Sequence, residues 1–563
     1  MSRATVLVGL GLLFGCSGSS GPGTHNIGDS CSQTADCGLL LACYNEASPG
    51  VCSTGCGGPQ GCDQNSACAT IVTALGNGLC LKTCTQNSDC EGGYTCCGAL
   101  GNVCTPNARC TGLSPVDTGS TLACPARVVV NGGQHGPAAK PDECQKPVVT
   151  TSFPGAQVQV LGPQTVGTTV TFNVPPGTGT IGILQQVVGA SAPDTVGLPG
   201  DSRFPNAVVP FVVNGPDGGV FYDDDAQPPI DQLPNMEVVT GAPEPACAAM
   251  MMPNTAQALT HQDGGYPAGT WSMKVNDIAF ECANHDPTTS GCDAGTTNQQ
   301  YDIQVVTKPV AALTGTVDIG IYVISTDWTA ASAIADSSGA WTRFLDTLAG
   351  IYAQAGLCLG KVTFYDPPGW SKPVYSKSVA VNDNSPCGLL DQMFTLSQPG
   401  GELPLFFVDA ITGGQGALGT IVGIDGAIPG PAGAGGTVHS GALVTTADLT
   451  TAGCTRVPDF VNCGADRTAY VAAHEGAHYL GLFHTTEETG RLFDTLNDTP
   501  RCPVVSCDPA GIHAAVDFEC NNDTGPNICG GADYLMFWLV SGASRGVISP
   551  QEAQVMRANP IVR

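Results

Sequence analysis

The stretch His474-Glu475-Gly476-Ala477-His478-Tyr479-Leu480-Gly481-Leu482-Phe483-His484 sets three imidazoles and one carboxylate at fixed offsets. On a helix, residues four apart lie one turn apart on one face, so His474 and His478 can aim ring nitrogens at one point. Glu475, next to the first, can reach a water there. A continued helix would swing His484 away, at about 100° per residue. Gly481 removes that difficulty, because glycine adopts the backbone conformation that ends a helix and turns the chain. Three neutral imidazoles with a position left for water suit one catalytic zinc ion, with His474, His478 and His484 as ligands and Glu475 as general base. The pair His474/His478 with Glu475 is a weak signal alone; the glycine and third histidine make the pattern specific. Two alternatives stand beside it. One is three surface histidines on an ordinary helix. The other is a structural zinc, which expects a fourth protein ligand such as a cysteine.

The elements that must position these groups follow from periodicity. Asp466 is placed to cap a helix from Arg467 to about Leu480. Ser338 to Ala355 is an amphipathic helix with Trp341, Phe344, Leu345, Leu348, Ile351 and Tyr352 on one stripe. Strands are expected over Thr316–Ser325, Lys361–Tyr365, Leu403–Asp409 and Gly441–Thr446. Ser549-Pro550-Gln551-Glu552 is a capping box with Pro at the first helical position, so a short terminal helix follows.

The 563 residues exceed one ordinary core, and Gly (74) and Pro (42) point to many turns. Residues 31–116 are expected to form cysteine-rich repeats. Cys31, Cys37, Cys43 and Cys52 set a spacing that recurs at Cys56, Cys62, Cys68 and Cys80, and again at Cys84, Cys90, Cys96 and Cys104, with a different last gap each time. Units so small need disulfides for stability. Residues 117–310 show period-two runs such as Val170-Thr171-Phe172-Asn173-Val174 and are expected to be a β-sandwich or jelly roll. Asp223-Asp224-Asp225 offers a candidate calcium site, weighed against a solvated acidic loop. Residues 315–563 form the segment that carries the histidines. The expected fold is therefore multidomain: small disulfide-rich repeats, an all-β sandwich, and an α+β domain with a mixed sheet, an active helix and a loop-rich C-terminal part.

A net charge of −28 disfavours nucleic-acid binding. Twenty-eight cysteines, with no zinc-ribbon spacing, indicate an oxidising compartment. Residues 1–16 have the layout of a secretory signal peptide ending in Leu13-Phe14-Gly15-Cys16, similar to a bacterial lipobox; an ordinary signal peptide is the alternative. Residues 17–30 then form a flexible tether, and the only membrane contact expected is a lipid on Cys16. The location expected is extracytoplasmic: bacterial surface, periplasm, or secreted.

The histidine motif resembles that of the metzincin zinc metallopeptidases. Within that clan it looks most like the pappalysin-like group, because Asp498-Thr499-Pro500 follows the third histidine and Tyr534-Leu535-Met536-Phe537-Trp538 is similar to the family's Met-turn. The resemblance covers about residues 315–563. It implies an endopeptidase acting on protein or peptide substrates through a zinc-activated water, with Met536 as the Met-turn methionine. The family usually has a tyrosine two residues after that methionine. This chain has Trp538, so Tyr534 becomes the candidate for transition-state support. The resemblance also implies an edge strand that binds extended substrate, for which Ser440–Thr446 is the candidate, with an internal strand as the alternative.

Thirteen cysteines follow Cys110. Neighbour pairs Cys124–Cys144, Cys282–Cys292, Cys358–Cys387 and Cys454–Cys463 are plausible on spacing, with Cys502, Cys507, Cys520 and Cys529 stabilising the loop after the motif. Cys247 is left over and could hold a latent enzyme through its thiolate, as in some metzincin zymogens. The rival to the enzyme is a non-catalytic surface adhesion or binding protein with a degenerate metzincin-like domain. The intact set of three ligands and a base argues against degeneracy.

Overall fold

The computed structural model divides into two units, residues 1–110 and 111–563. It describes chiefly residues 124–141, 153–188, 212–222, 230–239, 247–275, 300–377, 388–412, 422–487, 492–501, 531–540 and 544–563, a few single positions apart, with short strands elsewhere. Asp223–Asp225, Cys282–Cys292 and the four cysteines from Cys502 to Cys529 lie outside the described residues, as does the N-terminal segment with Cys16.

In the first unit the repeat reappears as backbone pairing. Three small antiparallel sets of strands place Cys43 opposite Cys52, Cys68 opposite Cys80, and Cys96 opposite Cys104, each time the third and fourth cysteine of a repeat. The described disulfide there joins Cys90 to Cys104.

The second unit is α+β. In chain order its main elements are strands β1 (Val128–Gln134), β2 (Gln157–Thr165), β3 (Thr169–Val174), β4 (Thr178–Val187), β5 (Val213–Asn214), β6 (Val220–Tyr222), β7 (Cys247–Met252), β8 (Gly269–Lys274), β9 (Gln300–Pro309) and β10 (Gly315–Val323); then helix α1 (Ala340–Gln354), strands β11 (Leu357–Asp366), β12 (Glu402–Val408), β13 (Gly423–Asp425) and β14 (Ala442–Thr445), and helices α2 (Gly464–Tyr479) and α3 (Pro550–Ala558).

Two four-stranded antiparallel sheets, ordered β2-β9-β4-β7 and β3-β8-β5-β6, make the sandwich. Strand β3 alternates exposed and buried along its length, the pattern of a strand covered on one face. Phe172, Ile181, Ile183, Trp271, Tyr301 and Ile303 fill the space between the sheets. Strand β4 is buried on both faces, because its other side packs on the second domain. Met251 and Val306, from β7 and β9, belong to that second core.

The second domain is built on a six-stranded mixed sheet ordered β13-β14-β12-β10-β11-β1. All neighbours run parallel except β13, which is antiparallel to β14. The apolar runs of β10 and β12 are buried on both faces, as parallel strands under helices are. Helices α1 and α2 cover one face. The expected stripe of α1, from Trp341 to Tyr352, is buried there.

Three expectations are corrected. Ser440–Thr446 is not the edge but the internal strand of the alternative: β14 lies between β12 and β13, and the border strand on that side is β13, at three residues too short to stand out in the sequence. Asp466 does not cap its helix. α2 begins at Gly464, after Cys463, and Asp466 sits fully buried in the first turn. There its carboxylate accepts from Arg343 Nε at 2.6 Å, Arg343 Nη2 at 2.8 Å and Thr347 Oγ1 at 2.6 Å, tying α2 to α1. The third concerns Cys124 and Cys358, which bond to each other rather than to Cys144 and Cys387. The reason is topological: β1 lies beside β11, with Val128 opposite Lys361. Residues 124–134 therefore belong with the sheet, not with the sandwich that follows them. The Cys454–Cys463 disulfide is present as expected. Among the described residues, no helix is long and apolar enough to cross a membrane.

Candidate metal centre

Helix α2 delivers two of the expected ligands and ends at Tyr479, five residues before the third. Its carboxyl end closes at Leu480, whose N–H donates to Gly476 O at 3.0 Å. Gly481 then takes φ +110°, a conformation open to glycine, and the chain turns back. This brings the Nε2 of His484 to 3.1 Å from that of His474 and 3.0 Å from that of His478. The three histidines are close enough together to hold one metal ion, and no other described residue joins the group.

The outer nitrogens decide the protonation. His474 Nδ1 is 2.6 Å from the carbonyl oxygen of Leu535, and His478 Nδ1 is 2.7 Å from that of Leu482. A carbonyl only accepts, so each Nδ1 carries the hydrogen and each Nε2 presents a lone pair. His484 Nδ1 lies 2.9 Å from Glu487 Oε2 and donates in the same way. Three lone pairs therefore face one another. Without a cation between them that arrangement is repulsive. Nitrogens bound to one tetrahedral zinc at 2.0–2.1 Å would be about 3.3 Å apart, close to the separations found. Burial and the neighbouring His484 hold His474 down to about 3, and burial holds His478 well below the usual histidine range. Both are neutral donors at physiological pH. The set fits a zinc ion.

Glu475 points from the same helix to the border strand. Its carboxyl group is buried, which pushes its pKa up to about 8, and the backbone N–H of Asp425 donates to it. A Cβ on Gly423 would stand 2.5 Å from Glu475 Oε1. Glycine there lets β13 pass directly over the Glu475 carboxyl group.

Below the histidines, the segment expected as the Met-turn wraps the end of α2. Tyr470 Oη donates to the carbonyls of Tyr534 and Leu535 at 3.1 and 3.2 Å, and Leu535 O is the acceptor that fixes His474. Met536 is fully buried in the main core, and its carbonyl accepts from Thr485 N at 2.9 Å. Asp498 accepts from Ser549 Oγ and Gln551 N at the start of α3, where the expected capping box is formed. Tyr534 lies on the same segment, its backbone carbonyl held by Tyr470. Burial and the charges of Asp533, Glu552 and Asp498 push its phenol up to about 12, and no hydrogen bond joins it to the histidines or Glu475. Trp538 packs on Phe537 and Ala532. Cys247 is a buried thiol packed with Leu184 and Ala434, outside the histidine group, so it does not act as a latch on the ligands.

Sequence reasoning missed Glu487, Gly423 and Asp425. The first had a usable signal, a carboxylate three residues beyond His484; the other two depend on which strand borders the sheet. A scan against protein-family models finds no match for this chain, and no curated protein matches it.

Proposed function

We propose that this chain is an extracytoplasmic zinc endopeptidase of the metzincin type, closest in its motifs to the pappalysin-like group. The observation that carries the reading is the meeting of three Nε2 lone pairs, each fixed by an outer hydrogen bond, beside a buried carboxylate under a border strand. A zinc ion held by His474, His478 and His484 supplies a Lewis acid that polarises a carbonyl and makes water more acidic. Glu475 takes the proton of the attacking water on its carboxylate and delivers it to the nitrogen of the leaving amine. The N–H of Asp425 holds that carboxylate in place. An extended peptide can lie along β13 by strand addition. Disulfides Cys124–Cys358 and Cys454–Cys463 support an oxidising compartment. The lipid on Cys16 and a calcium ion at Asp223–Asp225 remain part of the proposal.

The test is casein hydrolysis and zinc content for the purified chain and its Glu475→Gln variant. Activity in the first, its loss in the second, and one zinc in both support the reading. Equal activity in both removes Glu475 from the mechanism, and absence of zinc from both removes the centre.

A further inference from the structure

The three ligands do not share one kind of outer partner. His474 and His478 stand on a buried helix and donate to main-chain carbonyls. His484 stands beyond the turn, with its side chain 22% exposed, and donates to a carboxylate. Glu487 is itself on a braced backbone. Its N–H donates to Leu492 O at 2.9 Å, and the preceding Thr486 bridges to Phe493 on one side and Phe537 on the other.

We infer that Glu487 is a positioning residue for the third ligand, fixing the ring of His484 and strengthening its Nε2 as a donor to the cation; this rests on the zinc reading above. Two physical arguments support it. A loop-borne ligand lacks the restraint that a helix gives, so its outer hydrogen bond must set the ring angle. A carboxylate also pulls on the Nδ1 hydrogen more than a carbonyl does, which raises electron density at Nε2. The competing account is an ordinary exposed ion pair three residues apart, which contributes little to anything. The Glu487 side chain is 39% exposed, so solvent weakens its effect and the lower end of the usual range applies.

The test uses the full chain, stripped of metal. Its zinc dissociation constant is measured by competition with a chromophoric chelator, alongside the Glu487→Gln and Glu487→Ala variants. Melting temperatures of the metal-free forms are recorded, and cobalt(II) absorption reports ligand geometry. The expected result is affinity weakened about tenfold in Glu487→Ala, with Glu487→Gln between, since its amide oxygen still accepts but carries no charge. The cobalt spectrum shifts and the metal-free melting temperatures agree. Affinity of Glu487→Ala within about twofold of the unmodified chain overturns the inference and leaves the zinc site standing. A matching fall in metal-free melting temperature assigns Glu487 to the fold and also overturns it. An unmodified chain that takes up no zinc overturns the site and the inference together.

Discussion

Met251, on a sandwich strand, places its Cε 2.5 Å from where a Cβ on Gly481 would stand. The turn that returns His484 to the centre is closed on its other side by Val555 Cγ1 of α3, at 3.4 Å from the same point. Sandwich and terminal helix thus grip one glycine. Gly481→Ala meets both the positive φ and the methionine. It is expected to cost about 2 kcal/mol or more. Urea unfolding of the metal-free chain measures that cost, and the zinc content should fall with it. Stability equal to the unmodified chain would show that the turn has room to relax.

Gly423→Ala should act differently. The new methyl would meet Glu475 Oε1 at 2.5 Å and Val471 Cγ1 at 2.5 Å, while the histidines keep their partners. Turnover is expected to drop by about tenfold or more, because a base displaced by even a fraction of an ångström loses its geometry. Zinc content should not change. The measurement is kcat on a peptide substrate together with metal analysis.

Arg343→Ala strips the bidentate partner from the buried Asp466. Thr347 Oγ1 and the Asp459 N–H remain, but the charge is uncompensated. A loss of about 3 kcal/mol in unfolding free energy is expected. Arg343→Lys should recover part of it, since it restores charge without the fork.

Two further carboxyl groups set a pH dependence. Burial pushes Asp494 up to about 7 and Glu552 up to about 8, and one oxygen of each is buried with no hydrogen-bond partner. Both lie above the ordinary carboxyl range near 4. As pH rises from about 4 towards 8, the unfolded chain releases these protons first, so folding stability falls across that window. Glu552→Gln removes one such group and keeps an acceptor for Ser549 N. The gap in melting temperature between variant and unmodified chain should widen in the variant's favour from pH 5 to pH 8. A constant gap would place the titration elsewhere.

Much of this was readable from local signals. The stripe from Trp341 to Tyr352, four of the six strands of the sheet, the capping box at Ser549 and the turn at Gly481 each announce themselves within a dozen residues, and each is found. What failed was what depends on distant partners. Asp466 resembles an N-cap because its true partner, Arg343, lies more than a hundred residues away. Spacing paired Cys124 with Cys144 because nothing local shows β1 beside β11. The border of the sheet was misplaced for the same reason: three residues, Gly423-Ile424-Asp425, have no periodicity to read, and their role comes from lying over Glu475.

The Cys124–Cys358 bond spans 234 positions and encloses the whole sandwich. The sandwich is therefore an insertion within the domain of the histidines, not a module placed before it. Folding has a necessary order. Strand β1 is made early but has nowhere to dock until β11 has followed, more than two hundred residues later. Closing so long a loop late is entropically costly for the free chain and becomes a constraint on the unfolded state once the bond exists. A fragment cut at residue 315 would leave behind β1, Cys124 and Met251 at once. Any transplant of this centre into another protein has to begin upstream of Cys124.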